Sequence, residues 1–274
     1  MADTRDVAEA LSVARQAARE AVDVLLAAWS ATGRGEASRK SPRDLVTEAD
    51  RESELRIVDR LRRSFPDHGI VAEESGDRAG TGALRWIVDP LDGTTNYVHG
   101  FPMFAVSIAL YEDDRPLAGL VVDPVRGEWF TAMAGEGAWL DQGDPDSATR
   151  LAVADGGDPE EGPLLATGFP FRHPSLTARY LAAFGELFAR SSDMRRAGSA
   201  ALDLAYVAAG RVDGFWEMEL NPWDIAAGEL LVLEAGGVVS DWRGGAGHRE
   251  SGWIAAGGPE THRLLTSVLA EHAA

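Results

Sequence analysis

The chain has 274 residues, 45% of them hydrophobic, a formal net charge of −18 at pH 7 and no cysteine. That length and composition suffice for a core without disulfides or a structural metal, and the missing cysteines exclude thiolate zinc sites and cysteine nucleophiles. The acidic balance opposes attraction of polyanions, so no nucleic-acid binding is expected.

The N-terminus carries Asp3, Arg5, Asp6 and Glu9 without a long apolar run, so neither signal peptide nor membrane span is read there, and a cytoplasmic location is expected. Apolar residues Val7, Leu11, Ala14, Ala18, Val22, Leu25 and Trp29 then predict a long helix with one buried stripe over residues 7–29. The polar stretch 32–43 ends it, and Lys40, the chain's one lysine, falls there. Leu55, Val58, Leu61 and Phe65 share a face and predict a second helix over 48–64, stopped by Pro66 and Gly69. Its late arginines Arg60, Arg62 and Arg63, like Arg195 and Arg196 further on, read as solvated faces.

From residue 70 short apolar segments replace helices, at 70–72, 84–89, 104–111, 116–122 and 128–132, as in a mainly antiparallel sheet. Asp113-Asp114 and Arg126-Gly127 supply its hairpin turns. The Asp-, Gly- and Pro-rich stretch 141–163 suggests a boundary, giving an N-terminal α+β half over 1–145 and a C-terminal α/β half over 146–274 within one compact unit. The second half alternates strands at 164–167, 213–217, 238–241 and 253–255 with helices at 175–189, 199–209, 222–235 and 259–270.

The segment Trp86-Ile87-Val88-Asp89-Pro90-Leu91-Asp92-Gly93-Thr94-Thr95-Asn96 is the most informative. An apolar strand runs into two carboxylates three residues apart. Pro90 holds Asp89 extended and fixes the turn, so that Asp89, Asp92 and the Leu91 carbonyl can converge. Gly93 permits close backbone approach, and the Gly93 and Thr94 amides can hold phosphate oxygens. Such hard oxygen ligands suit magnesium. Alone, Asp-Pro-x-Asp-Gly also reads as a surface turn, Glu73 and Glu74 as a solvated strand end, and Asp224 as a dipole partner in a first helical turn. His99 reads as structural, and the eight tryptophans as core.

Taken together, five segments resemble the inositol monophosphatase family: Asp44 through Asp50, Val71 through Ser75, Trp86 through Val98, Arg196 through Ala205, and Pro222-Trp223-Asp224 continuing to Gly237. The resemblance implies a layered α-β-α-β-α sandwich of the inositol monophosphatase and fructose-1,6-bisphosphatase type. It also implies hydrolysis of a small phosphate monoester, inositol monophosphate foremost, with two or three Mg2+ ions (Mn2+ as substitute), lithium sensitivity and a homodimer. Glu73, Asp89 and the Leu91 carbonyl look like ligands of a first magnesium, and Asp89, Asp92 and Asp224 like those of a second. Thr94 with Asp50 resembles the family's water-orienting dyad, with Glu73 beside it. Gly93 and Thr94 would bind phosphate, while Asp92, Gly198, Ser199, Ala200 and Glu217 would recognise the hydroxyl-bearing body of the substrate.

Electrostatics leads the same way. Two carboxylates about 5 Å apart repel by roughly 3 kcal/mol at an effective dielectric of 20, so a converging group of four needs cations to stay ionised. The chain departs from the family pattern in the short, Gly-rich loop 76–83, in Asn221 and in Ser199. The alternative substrates are fructose 1,6-bisphosphate, histidinol phosphate and 3′-phosphoadenosine 5′-phosphate. The last would call for a stacking aromatic and added positive charge at the pocket, and no segment of the sequence places them there. A protein-interaction role, as in bacterial relatives that associate with transcription machinery, is the reading from another class.

Overall fold

The structure is a computed structural model. It describes residues 3–32, 37–41, 44–154, 156 and 160–273, with side chains outside 30–46; the side chains of Lys40 and Asp44 therefore lie outside the described residues. The first half runs α1 (Thr4–Thr32), β1 (Ala37–Ser41), β2 (Asp44–Thr47), α2 (Glu48–Ser64), β3 (Gly69–Ala72), β4 (Gly76–Arg78), β5 (Leu84–Asp92) and α3 (Thr94–His99). It continues through β6 (Ala105–Glu112), β7 (Arg115–Asp123), β8 (Glu128–Met133), β9 (Gly137–Asp141) and β10 (Thr149–Arg150). The second half adds β11 (Leu164–Thr167), α4 (Thr177–Phe188), β12 (Asp193–Arg195), α5 (Ala200–Ala208), β13 (Gly214–Glu217), α6 (Pro222–Glu234), β14 (Val238–Ser240), α7 (His248–Ser251), β15 (Ile254–Gly257) and α8 (Pro259–Leu269).

Eight strands form the first sheet in the order β10-β9-β8-β7-β6-β5-β3-β4, antiparallel except for the β3–β5 pair. The second sheet has the order β12-β11-β13-β15-β14, with β11 parallel to both its neighbours. The last strand of the first sheet ends at Arg150 and the first strand of the second begins at Leu164.

Each helix pair has two faces to cover or one, and this sets the layers. The alanine stripe of α1 and Ile57, Val58 and Leu61 of α2 pack on one face of the first sheet, against Val106, Ile108, Leu120 and Val122. The opposite face, with Ala105, Ala109, Val121 and Phe130, meets α5 and α6. Both of those helices are apolar nearly all round, because they also touch the second sheet at Phe215 and Ile254. The outer face of the second sheet is closed by α4 and α8, where Trp216 stacks on Tyr180 at 5.0 Å. The expected α+β sandwich of five layers, α-β-α-β-α, is the architecture observed.

Several local expectations are corrected. The polar stretch after α1 contains the β1–β2 hairpin, and the Gly-Thr-Thr turn opens the short helix α3. Part of the 76–83 loop is the edge strand β4. Four of the eight tryptophans, Trp86, Trp129, Trp216 and Trp242, are buried; the others, Trp223 included, are half-buried.

One buried ionic link fastens α6 in place. Glu229, 2% exposed, accepts both Nε and a terminal nitrogen of Arg249 at 2.8 and 2.7 Å, and the Tyr111 hydroxyl at 3.1 Å. Burial raises its pKa, but hydrogen bonds from Arg249 and His248 outweigh it and bring the carboxyl down to about 2. The linked stability is present above the ordinary glutamate range and is lost as pH falls toward 2. Glu229→Ala leaves Arg249 without this partner and is expected to cost about 3–5 kcal/mol, lowering the midpoint of thermal unfolding by roughly 10 °C; calorimetry checks this.

Candidate metal centre and active site

The site begins with an irregularity in β5. Residues three apart on a regular strand face opposite ways, yet Asp89 pairs with Ser107 and Asp92 with Ala105, so β5 carries one extra residue between them. The bulge restores both aspartates to one side. Pro90 sits within it, where no amide is needed for the ladder, and its carbonyl accepts from Ser53 Oγ at 2.9 Å. The Leu91 amide closes the turn onto Asp89 Oδ1 at 3.0 Å. Gly93 follows with φ 87°, a conformation L side chains rarely adopt, and leads into α3.

Asp224 arrives from the second half in the first turn of α6, where its Oδ2 accepts the Asn221 amide at 2.7 Å. Oxygens of Asp89, Asp92 and Asp224 lie within 4.8 Å of one another. Glu73, at the end of β3, lines the same pocket. Burial, then the charges of Glu73, Asp92 and Asp224, push Asp89 well above the usual carboxylate range. Burial raises Asp92 to about 6 against the opposing hydrogen bonds from Ser199 and Ala201, and burial with the Asp92 charge raises Asp224 to about 7. An all-oxygen donor set whose joint ionisation burial and mutual repulsion oppose fits a hard divalent cation such as Mg2+, with Mn2+ compatible.

Asp50 is fully buried and belongs to the N-terminal capping box of α2, accepting the Thr47 amide at 2.8 Å. Its other oxygen accepts the Thr94 hydroxyl at 3.2 Å, and that hydroxyl lies equally close to the Leu91 carbonyl. The Thr94–Asp50 pair expected from the sequence is thus formed.

On the far wall, Gly198, Ala200 and Glu217 line the pocket as expected. Glu217 lies across Gly168, where an added Cβ would meet its carboxylate at 2.0 Å. Burial and the Asp203 charge push Glu217 well above the ordinary range, against the pull of Arg196. Ser199 is placed differently from the expectation: it is 1% exposed, and its hydroxyl donates to Asp92 Oδ2 at 2.6 Å. The Ala201 amide reaches the same oxygen at 2.8 Å, so Asp92 ties β5 to the start of α5.

The sequence reading missed three residues of that wall: Phe171, Arg172 and Arg196. They supply at the pocket the aromatic ring and positive charge that no segment of the sequence could be assigned to. Arg196 is the first residue of a recognised segment but reads there as part of a solvated face, and Phe171-Arg172 lie just past the end of β11. The turn at 168–173 is closed by the Phe171 amide on the Phe169 carbonyl at 2.7 Å, and all three residues line the same pocket as Asp89, Asp92 and Asp224.

A five-layer sandwich with a carboxylate pocket of the divalent-cation type where its halves meet defines the class of protein. The profile of the inositol monophosphatase family matches residues 6–274. Nus factor SuhB of Escherichia coli strain K12 is 47% identical over 261 residues, covering 95% of this chain and 94% of that protein. Among solved structures, the extragenic suppressor protein suhB of Bartonella henselae is 40% identical with a TM-score of 0.86, covering 94% of this chain and 97% of the other. The inositol monophosphatase of Anabaena (Nostoc) sp. PCC 7120 is 37% identical with a TM-score of 0.83, covering 95% of each. The chain belongs to the inositol monophosphatase family.

Because the folded state holds protons on Asp92 and Asp224 at pH values where the unfolded chain does not, the metal-free protein loses stability as pH rises from about 4 through 7. In EDTA, the unfolding midpoint is expected to fall between pH 5.5 and 8, and Mg2+ to raise it more at pH 8 than at pH 5.5. Asp92→Asn keeps an oxygen to accept from Ser199 and Ala201, so it should be at least as stable as the parent in EDTA and gain less from Mg2+. Differential scanning fluorimetry reads both effects.

Proposed function

We propose that the chain is a Mg2+-dependent phosphatase of small phosphate monoesters, inositol monophosphate foremost, working without a covalent intermediate. The observation that carries this reading is the convergence of Asp89, Asp92 and Asp224 within 4.8 Å beside the Thr94–Asp50 pair. The name of the Anabaena relative supports the choice of substrate. Bound Mg2+ supplies the positive charge that offsets the phosphate dianion and makes water a better nucleophile near neutral pH.

The protein's own groups do the rest. Asp89, Asp92, Asp224, Glu73 and the Leu91 carbonyl would hold two ions, and Glu73 would also serve a third. Asp50 accepts the hydrogen bond of the Thr94 hydroxyl, leaving that oxygen's lone pairs to accept from the attacking water and, with Glu73, to aim it in line with the scissile bond. The Gly93 and Thr94 amides face the phosphate oxygens. Gly198, Ala200 and Glu217 meet the alcohol, Glu217 through a carboxyl that burial favours in its neutral, hydrogen-bond-donating form.

Phosphate release from inositol monophosphate is expected to require Mg2+ and to be suppressed by lithium. Asp92→Asn is expected to lose on the order of 10²–10³-fold or more in kcat with the fold retained; undiminished turnover in that variant refutes the mechanism. The identity to Nus factor SuhB favours a second, protein-binding role alongside catalysis, and a homodimer is proposed as the working form. Light scattering should return twice the chain mass, and a monomer mass overturns the dimer.

A further inference from the structure

The buried face of α2 changes character along its length. Toward the C-terminal end it is apolar, with Ile57, Val58 and Leu61 packed on the first sheet. In the first two turns three polar residues, Asp50, Ser53 and Glu54, are buried as well, at the i, i+3 and i+4 positions that share one side of a helix. Each makes a hydrogen bond to a different segment of the site. Asp50 accepts the Thr94 hydroxyl at 3.2 Å, the Ser53 hydroxyl donates to the Pro90 carbonyl at 2.9 Å, and Glu54 Oε2 accepts the Glu74 amide at 2.8 Å. The start of α3, the β5 bulge and the end of β3 are thereby fixed to one helix.

The Glu54 bond bears most directly on the cation side of the pocket. Glu73, which lines it, follows the last residue of β3, where the parallel pairing with β5 ends at Ala72 opposite Val88. Beyond that register the backbone of Glu73 is held on both sides. Its own amide donates to the Val88 carbonyl at 3.2 Å, one residue before Asp89, and the next amide, that of Glu74, donates to Glu54. With the second acceptor withdrawn, the peptide after Glu73 gains freedom to rotate. The Glu73 carboxylate must then be reordered before it can join Asp89 at a cation.

We propose that Glu54 is a positioning residue of the metal centre: by holding the Glu74 amide it sets Glu73 against Asp89, and with it the affinity for the divalent cation that those two side chains would share. This rests on the metal-binding part of the function proposed above and adds a residue that acts through the backbone.

Two substitutions separate reach from charge. Glu54→Gln keeps an acceptor oxygen at the same reach and removes the charge; Glu54→Asp keeps the charge and is one methylene too short for the Glu74 amide. Leu61→Ala, two turns further along the same face and packed in the apolar core, is the control for a general loss of stability. Mg2+ is titrated calorimetrically into each metal-free protein, and the unfolding midpoint of each is read in EDTA. Positioning predicts that Glu54→Asp weakens at least one Mg2+ binding step by roughly tenfold, while Glu54→Gln stays within about threefold of the parent. Leu61→Ala is expected to lower the midpoint and leave the Mg2+ isotherm unchanged. Glu54→Asp binding Mg2+ as the parent does, or Glu54→Gln weakening it as far as Glu54→Asp, overturns the proposal, as does an equal loss of affinity in Leu61→Ala. No substrate enters the titration, so the two readings fail separately. A protein that binds Mg2+ yet releases phosphate from no ester defeats the phosphatase reading alone, whereas a parent that takes up no Mg2+ defeats the metal centre and this proposal with it.

Discussion

The structure is organised around a repulsion. Asp89, Asp92 and Asp224 are held closer together than their charges tolerate in a protein interior, with Glu73 adding its field to all three. Every element near the site works to maintain that arrangement. The bulge in β5 turns two aspartates to one side, and the capping bond of Asp224 to Asn221 fixes the third. The Glu229–Arg249 link and the apolar contacts of α6 supply the stability that the pocket draws down.

Asp92 shows how the two halves are coupled to this constraint. One of its oxygens is occupied by the Ser199 hydroxyl and the Ala201 amide of the second half. Both bonds favour the ionised form and oppose the effect of burial. The side chain that holds α5 against β5 is thereby also kept closer to the state a cation needs. Ser199 acts on the site through Asp92, and a threonine, with the same hydroxyl, would preserve that contact.

What could be read from the sequence follows from where each signal lies. The apolar run into Asp89-Pro90-Leu91-Asp92-Gly93 and the Pro222-Trp223-Asp224 helix start are local, because proline, glycine and short-range hydrogen bonds dictate their shapes. α1, α2, α6 and α8 were legible from apolar spacing and stop signals. The β1–β2 hairpin was not, since Ala-Ser-Arg-Lys-Ser has no alternating apolar pattern. Nor was α3, whose six residues are too few to show a period. The far wall was hidden for another reason. Phe171 and Arg172 carry no local motif of the site, Arg196 opens a recognised segment but reads as a solvated face, and all three come to line one pocket with Asp224 and Asp92 only through the packing of β11, β13 and α6.

That division carries a physical lesson about the pocket. The cation-holding side is built from backbone turns whose geometry tolerates little change: an added Cβ at Gly93 would approach the Met103 carbonyl to 3.0 Å, and Pro90 and Asp89 have set conformations. On the opposite wall, Phe171 and Arg172 are exposed side chains of a turn, although Gly168 in that turn leaves no room for a Cβ beside Glu217. Substitution at Phe171 or Arg172 changes the charge and shape of the pocket's rim without altering Asp89, Asp92 or Asp224. Under the proposed function, the groups that would hold the cations thus sit on constrained backbone, while Phe171 and Arg172 sit where a change of side chain meets less resistance.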